Sequence, residues 1–317
     1  MSDDDRPWDV VERVVSVRRP LDLVATLSPL RQGRRDPTAT VEPGRVWRAT
    51  RTPAGPACQL LVTGPAAGEV RVRAWGPGAA WLLDAAPDLV GVNDRTDDFQ
   101  ASRHPVVADL WRRHPGLAIP KTRAVFEILA PTICAQKVTG IEARQSWFSI
   151  ARRWGVPAPR PRGRLDAAMP RLVLPPAPAE LATLGTHVLH RIGLEHKRAA
   201  TLIIAAGAAA RLESAADLGR DDARRQLEAL PGIGRWTSAE VAIVAFGDAD
   251  AVSVGDYHLP NVVTWALAGE PRGDDTRMLE LLEPFRGHRG RVVRLLGHHP
   301  RPPRRGPRMP VRGFQDQ

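Results

Sequence analysis

Near residue 105 the spacing of apolar residues changes, and that change limits the fold more than any other feature of the chain. From about 10 to 104, apolar residues alternate with polar ones or come in short β-branched runs. These are Val10 to Val17, Arg45 to Thr52, Cys58 to Thr63 and Glu69 to Trp75, parted by clusters such as Pro53-Ala54-Gly55-Pro56. A period of two marks strands with one buried face, and Pro/Gly clusters mark turns. Helical patches around Leu21 to Leu30 and Trp81 to Leu89 interrupt the strands, so a small α+β domain with an antiparallel sheet is expected. After about 105 the spacing becomes three or four, predicting helices at 123–138, 140–154, 195–212, 221–230, 235–246, 257–268, 274–284 and 288–297. The chain therefore reads as α+β, an N-terminal antiparallel-sheet domain at 10–104 and a mostly α domain at 105–297.

Outside these two blocks little apolar surface is available to bury. Residues 1–9 and the Pro/Arg-rich stretch 298–317 are expected to be disordered, and proline-rich Val156 to Pro178 to be a loop over the helices. No apolar run is long enough for a membrane span, which takes about 18 residues. The acidic start, Met1-Ser2-Asp3-Asp4-Asp5-Arg6, lacks the basic and apolar regions of a signal peptide, so a cytoplasmic protein is expected, nucleoid-associated in a bacterium.

Two scarcities narrow the chemistry. Cys58 and Cys134 are the only cysteines, which excludes a disulfide framework, a four-cysteine zinc site and an all-cysteine iron–sulfur cluster; no metal is expected. Only Lys121, Lys137 and Lys197 can supply a lysine amine. The net charge of +10 suggests a polyanionic partner. Residues 286–317, however, hold nine arginines against Asp316 and so account for +8, leaving a nearly balanced body.

The sharpest local signal is Leu227-Glu228-Ala229-Leu230-Pro231-Gly232-Ile233-Gly234-Arg235-Trp236-Thr237-Ser238-Ala239-Glu240-Val241. One helix ends at Leu230, Gly232 and Gly234 flank Ile233 in a tight turn, and a second helix opens near Arg235. Glycines let the backbone come close to a partner, and turn amides together with a helix start attract a phosphate. Ile233 would plug the gap between the helices; a plain connection between core helices is the alternative. Twenty residues after Trp236, the run Ala251-Val252-Ser253-Val254-Gly255 delivers Asp256 to a helix start, with Tyr257 and Pro260 following. There Asp256 can be an N-cap, a role compatible with catalysis. A carboxylate fixed beside an anomeric carbon stabilises the oxocarbenium-like sugar of glycoside cleavage and can activate water.

The hairpin, the spacing and Gly255-Asp256-Tyr257 together resemble the helix-hairpin-helix DNA glycosylase superfamily. Further matches run from Pro20 to Thr38, from Leu89 to Phe99, and from Phe126 to Ile141. The resemblance implies damaged double-stranded DNA as the partner, a monomer, and Asp256 as the catalytic residue. It implies DNA contacts from Gly232, Ile233, Gly234, Thr237, Gln136 and Lys137, and no cofactor beyond a monovalent cation where the hairpin meets a phosphate. Members that also cut the backbone carry a lysine where this chain has Trp236, and an indole forms no Schiff base. A monofunctional enzyme is therefore expected.

Trp236 resembles the arrangement of the bacterial 3-methyladenine glycosylase II type, whose aromatic pocket takes cationic alkylated purines by stacking and cation–π attraction. Helix packing is its other reading. Tyr257 would be a second wall or a core residue. Lys137 stands at the position of the wedge that fills the space of an extruded base, where better-known relatives carry an apolar residue; it would insert its stem or touch the backbone. Gln136 would reach the minor groove or lie on an exposed face. Glu240, where relatives more often have an aromatic or neutral residue, would favour a cationic base if it faces the pocket. Arg286 to Arg289 would reach the DNA backbone or be plain surface charge. A glycosylase for oxidised or deaminated purines, or a non-enzymatic DNA-binding protein with the same hairpin, is the competing function.

Overall fold

The computed structural model describes residues 7–64 and 68–303. A five-stranded antiparallel sheet has the order β1-β5-β4-β3-β2, with β1 Val11–Ser16, β2 Ala39–Glu42, β3 Arg45–Thr52, β4 Gly55–Thr63 and β5 Glu69–Trp75. The strand β2 is not apparent from the sequence, because four edge residues with Ala39 and Val41 turned inward give too short an alternation. β4 starts at Gly55 because Thr52 pairs with Gly55 across a two-residue turn, Pro53-Ala54, and the φ of Gly55 is +118°.

Helices follow at 105–113, 125–134, 140–154, 196–207, 220–228, 235–241, 259–268, 275–282 and 289–296, with shorter ones between. The expected helix at 195–212 breaks in two at Ala208, which ends His196–Gly207 and starts Ala209–Glu213. The helix expected at 235–246 is α only over Arg235–Val241, then widens to a π turn over Ala242–Phe246 that stops at Gly247 with φ +69°. Among the described residues no single helix is long and apolar enough to cross a membrane.

One face of the sheet, with Val15, Val46, Leu61, Val70 and Val72, shares a core with Leu129, Ile133, Trp147, Leu202, Leu227 and the hairpin residue Ile233. A second core gathers Val107, Leu110, Val252, Val263, Met278, Leu282, Val292 and Leu295. The other face of the sheet is covered by the segment expected to lie over the helices. Val156–Pro157 pairs with Val173–Leu174, and Ala158, Met169, Leu172 and Leu174 pack on Trp47, Cys58, Leu60 and Trp75. Trp75 donates its indole N–H to the Pro159 carbonyl at 2.7 Å. The prolines thus rigidify a cover for an otherwise exposed apolar face.

Both expected disordered ends need correcting where they are described. Trp8 makes a β-bridge with Pro161, and His298 stacks on His114 with ring centroids 4.0 Å apart; residues 1–6 and 304–317 lie outside the described residues. Three arginines of the basic C-terminal stretch, Arg289, Arg291 and Arg294, are spent internally, while Arg286 stays exposed. Arg291, fully buried, forks onto Asp94, and Arg289 pairs with Asp250 at 2.6 Å. Arg294 donates to the Ala25 carbonyl, Arg286 pairs with Glu283, and the Gly287 amide bonds Asp250.

Candidate active site

The hairpin is shaped by close packing at one glycine and open space at the other. Gly232 has φ +85°, and a Cβ there would fall 2.1 Å from the Thr201 hydroxyl. Only glycine fits both the dihedral and the gap. Ile233 is 5% exposed and belongs to the main core, so it does plug the helix junction. Gly234 is extended, φ −111° and ψ −176°, with nothing within 4 Å of a notional Cβ. Among the described residues the amides of Gly234 and Arg235 make no backbone hydrogen bond.

Gln136 and Thr237 stand differently from expectation. The Gln136 amide donates to the Gly232 carbonyl and to the Thr237 hydroxyl, each at 2.9 Å. Both of its N–H donors are thereby engaged, and it latches the end of the helix Val125–Cys134 to the hairpin. Thr237 is 2% exposed and supports the hairpin from behind, so its side chain does not reach a DNA surface. A cation at the hairpin would need its carbonyls, but Leu230 already accepts from the Ile233 amide and Gly232 from Gln136. Each of these oxygens keeps one lone pair to offer.

Lys137 follows Gln136 in the left-handed region, φ +55°, one of two non-glycine residues there among the described residues. A lysine in that conformation stores on the order of 1 kcal/mol of strain, and its side chain is exposed. Beneath it, the buried guanidinium of Arg198 donates to the Cys134 carbonyl at 2.7 Å and closes the preceding helix. Cys134 itself is buried and its thiol is pushed up to about 12 by that burial, which fits a small apolar residue rather than a nucleophile.

Asp256 accepts three hydrogen bonds. Oδ1 takes the amides of His258 at 2.7 Å and Leu259 at 2.8 Å, at the start of the helix Leu259–Ala268, and Oδ2 takes the Trp236 indole N–H at 3.0 Å. The N-cap position itself belongs to His258, so the N-cap reading is corrected: Asp256 stands two residues earlier and reaches the amides of the helix start from there, where the positive end of a ten-residue helix faces this anion. Gly255, φ +92°, fixes the approach, its amide held by the Asp275 carboxylate at 3.0 Å. Trp236 joins the hairpin helix to the catalytic candidate across the seam between the two cores. Tyr257 is 63% exposed and meets the His258 ring edge-on, so it is not a core residue.

Glu240 turns inward. Its Oε1 accepts the Ser253 hydroxyl, three residues before Asp256. Burial pushes its pKa up, and the nearby Asp256 carboxylate adds to the rise. Ser253 and Asp275 were not apparent as site residues from sequence; for Ser253 the signal is a lone hydroxyl within the apolar run 251–254.

No family model matches the chain. Over 217 residues, 66% of this chain and 72% of the relative, the sequence is 27% identical to DNA-3-methyladenine glycosylase 2 of Escherichia coli (strain K12). Among solved structures, the 3-methyladenine DNA glycosylase from Archaeoglobus fulgidus aligns with TM-score 0.76 at 17% identity, over 90% of this chain and 98% of that one. The apo form of Clostridium acetobutylicum 8-oxoguanine glycosylase/lyase aligns with TM-score 0.64 at 13% identity, over 94% of this chain and 100% of that one. The chain shares the fold of the helix-hairpin-helix DNA glycosylases and resembles in sequence their bacterial DNA-3-methyladenine glycosylase II type.

Proposed function

We propose that this chain is a monofunctional DNA glycosylase that hydrolyses the N-glycosidic bond of alkylated purines, of the 3-methyladenine and 7-methylguanine type, flipped out of duplex DNA. The observation that carries this reading is the Asp256 carboxylate, gripped by three N–H donors and set against Trp236 directly after the hairpin. As the glycosidic bond stretches, positive charge builds on the sugar, and a preorganised carboxylate stabilises it. The same group orients or deprotonates water. The water oxygen bonds to the anomeric carbon, and the purine leaves with the glycosidic electron pair. A purine that is cationic through alkylation thereby departs neutral.

The geometry supports the remaining proposed roles. Trp236 spends its indole N–H on Asp256, so the ring face is what it offers to a base. Exposed Tyr257 offers a second ring. Lys137, presented at a strained loop tip, occupies or borders the space an extruded base leaves. The amides of Gly234 and Arg235 take a phosphate, and Gln136 holds the wedge loop and hairpin in one unit. An indole in place of the lyase lysine supports base release without strand cleavage. The chain acts as a monomer on damaged duplex DNA, without a cofactor.

The test is release of free bases from alkylated duplex DNA, followed by chromatography. Release by the wild type and its loss in Asp256→Asn are expected. No release at any pH, or full release by Asp256→Asn, overturns the reading, and a borohydride-trapped covalent adduct overturns its monofunctional part. Release from oxidised or deaminated DNA instead moves the substrate to those purines, and binding without release leaves a non-enzymatic DNA-binding protein.

A further inference from the structure

We propose that Glu240 is a specificity-determining residue: with Asp256 it forms a two-carboxylate site whose second negative charge selects cationic purines over neutral ones of similar shape. The inference rests on the glycosylase reading and names what would tune its substrate. Glu240 lies four residues after Trp236, so on the helix Arg235–Val241 the two side chains share a face. Two bonds then cross between the same pair of segments. Trp236 donates to Asp256, and Ser253 donates to Glu240. Both carboxyls are thereby drawn to one seam, where the Asp256 charge is felt by Glu240.

Glu240 is poorly explained as a packing residue. Ser253 occupies Oε1, while Oε2 has no hydrogen-bond partner among the described residues. Among them, too, neither Glu240 nor Asp256 is in an ion pair, whereas several other inward-facing acids are, such as Asp94 with Arg291 and Glu127 with Arg48. A carboxyl kept in such a place without a cation is costly, and an apolar residue or glutamine would pack there more cheaply. A cationic ligand supplies the missing charge.

The groups named at this seam include no lysine or arginine: Asp256 itself, Asp275 on the Gly255 amide, Trp236, Ser253, Tyr257 and His258. Burial and Asp256 both favour the protonated form of Glu240, so it holds its proton to higher pH than an ordinary glutamate. A bound cation favours the ionised form. Preference for a cation therefore rises as pH rises through the Glu240 titration.

The experiment measures equilibrium binding of the full chain to duplexes carrying two abasic-site mimics, a protonated pyrrolidine and a neutral tetrahydrofuran. We expect wild type to favour the pyrrolidine duplex, and Glu240→Gln, which keeps the hydrogen bond with Ser253, to lower that ratio about tenfold. Wild type should widen its ratio with rising pH, and Glu240→Gln should flatten that slope; the wild-type slope needs no variant and remains a test if Glu240→Gln does not fold. An unchanged ratio in Glu240→Gln, or a wild-type ratio that ignores pH, overturns the proposal. Because binding is read without turnover, a chain that releases no base but shows the Glu240-dependent ratio loses the glycosylase reading and keeps this site. A chain that releases alkylated bases with the ratio unchanged in Glu240→Gln loses only the inference.

Discussion

The indole N–H of Trp236 reaches Oδ2 of Asp256 at 3.0 Å across twenty residues of chain, and that bond fixes the orientation of the candidate catalytic carboxylate. Trp236→Phe keeps the ring and removes the donor. A hydrogen bond to a charged group contributes about 1.5–3 kcal/mol, which corresponds to roughly a 10- to 100-fold slower reaction. Single-turnover base release should show that loss, with DNA affinity changed by less than about threefold. An unchanged rate would mean that the two helix-start amides suffice.

Gly232 and Gly234 should respond differently to alanine. Gly232→Ala meets both the positive φ and the Thr201 side chain, costing about 1–3 kcal/mol of stability. Gly234→Ala has open space and an unstrained φ, so thermal unfolding should stay within about 2 °C of wild type. If the hairpin backbone meets a phosphate closely, Gly234→Ala nonetheless weakens binding to duplex DNA. Thermal melts and binding isotherms on the two variants separate fold from contact.

Lys137→Gly removes the left-handed strain and should stabilise the fold by about 1 kcal/mol, while Lys137→Ala stays near neutral. Both variants lose the side chain, and both should release bases more slowly from duplex than from single-stranded DNA, where no stack must be opened. Equal losses on the two substrates would remove Lys137 from base extrusion.

Gln136→Ala breaks both bonds to the hairpin and leaves the Thr237 hydroxyl without its donor. At about 0.5–1.5 kcal/mol per bond, the expected loss is about 1–3 kcal/mol. Thr237→Val should cost less, because the Gly232 carbonyl keeps its bond. Chemical denaturation of both variants measures the difference.

Acid stability should depend on the buried pair Asp94 and Arg291. Burial alone would raise the Asp94 carboxyl, but the Arg291 hydrogen bonds and charge outweigh it and hold the pKa below the usual range. A depressed carboxylate pKa stabilises the fold above the unfolded value, near 3.9, and the stabilisation fades as pH falls through the folded value. Arg291→Met leaves Asp94 with Arg19 as its remaining cation, at 2.6 Å, and should cost about 3 kcal/mol at neutral pH, the low end for breaking a buried pair. The difference between variant and wild type should shrink below about pH 4, when both are unfolded from urea in a pH series.

The local framework was legible in the sequence wherever near neighbours decide the backbone. Strands Arg45–Thr52 and Glu69–Trp75 fall where alternation puts them, and the helix Gly140–Trp154 opens at Thr139 with a capping box to Glu142. Gly232 and Ile233 announced the turn, since one supplies the φ and the other the apolar plug. Short edge strand Ala39–Glu42 escaped because its pairing with β3 supplies the order that four residues lack.

The sequence by itself determined the β-to-α order of the chain, the hairpin, an aspartate twenty residues beyond its tryptophan, and the absence of lysine from that tryptophan's place. Tertiary structure alone decided where the side chains of that framework point. It tied Trp236 to Asp256, turned Glu240 onto Ser253, hid Thr237 behind Gln136, and laid Val156 to Pro178 on the outer face of the sheet. It also turned Arg289 and Arg291 inward onto Asp250 and Asp94 instead of leaving them as surface charge. The reason is physical: spacing along a chain sets dihedral preference and which face of an element is apolar. The partner of a polar side chain depends on which distant segments are brought to one seam.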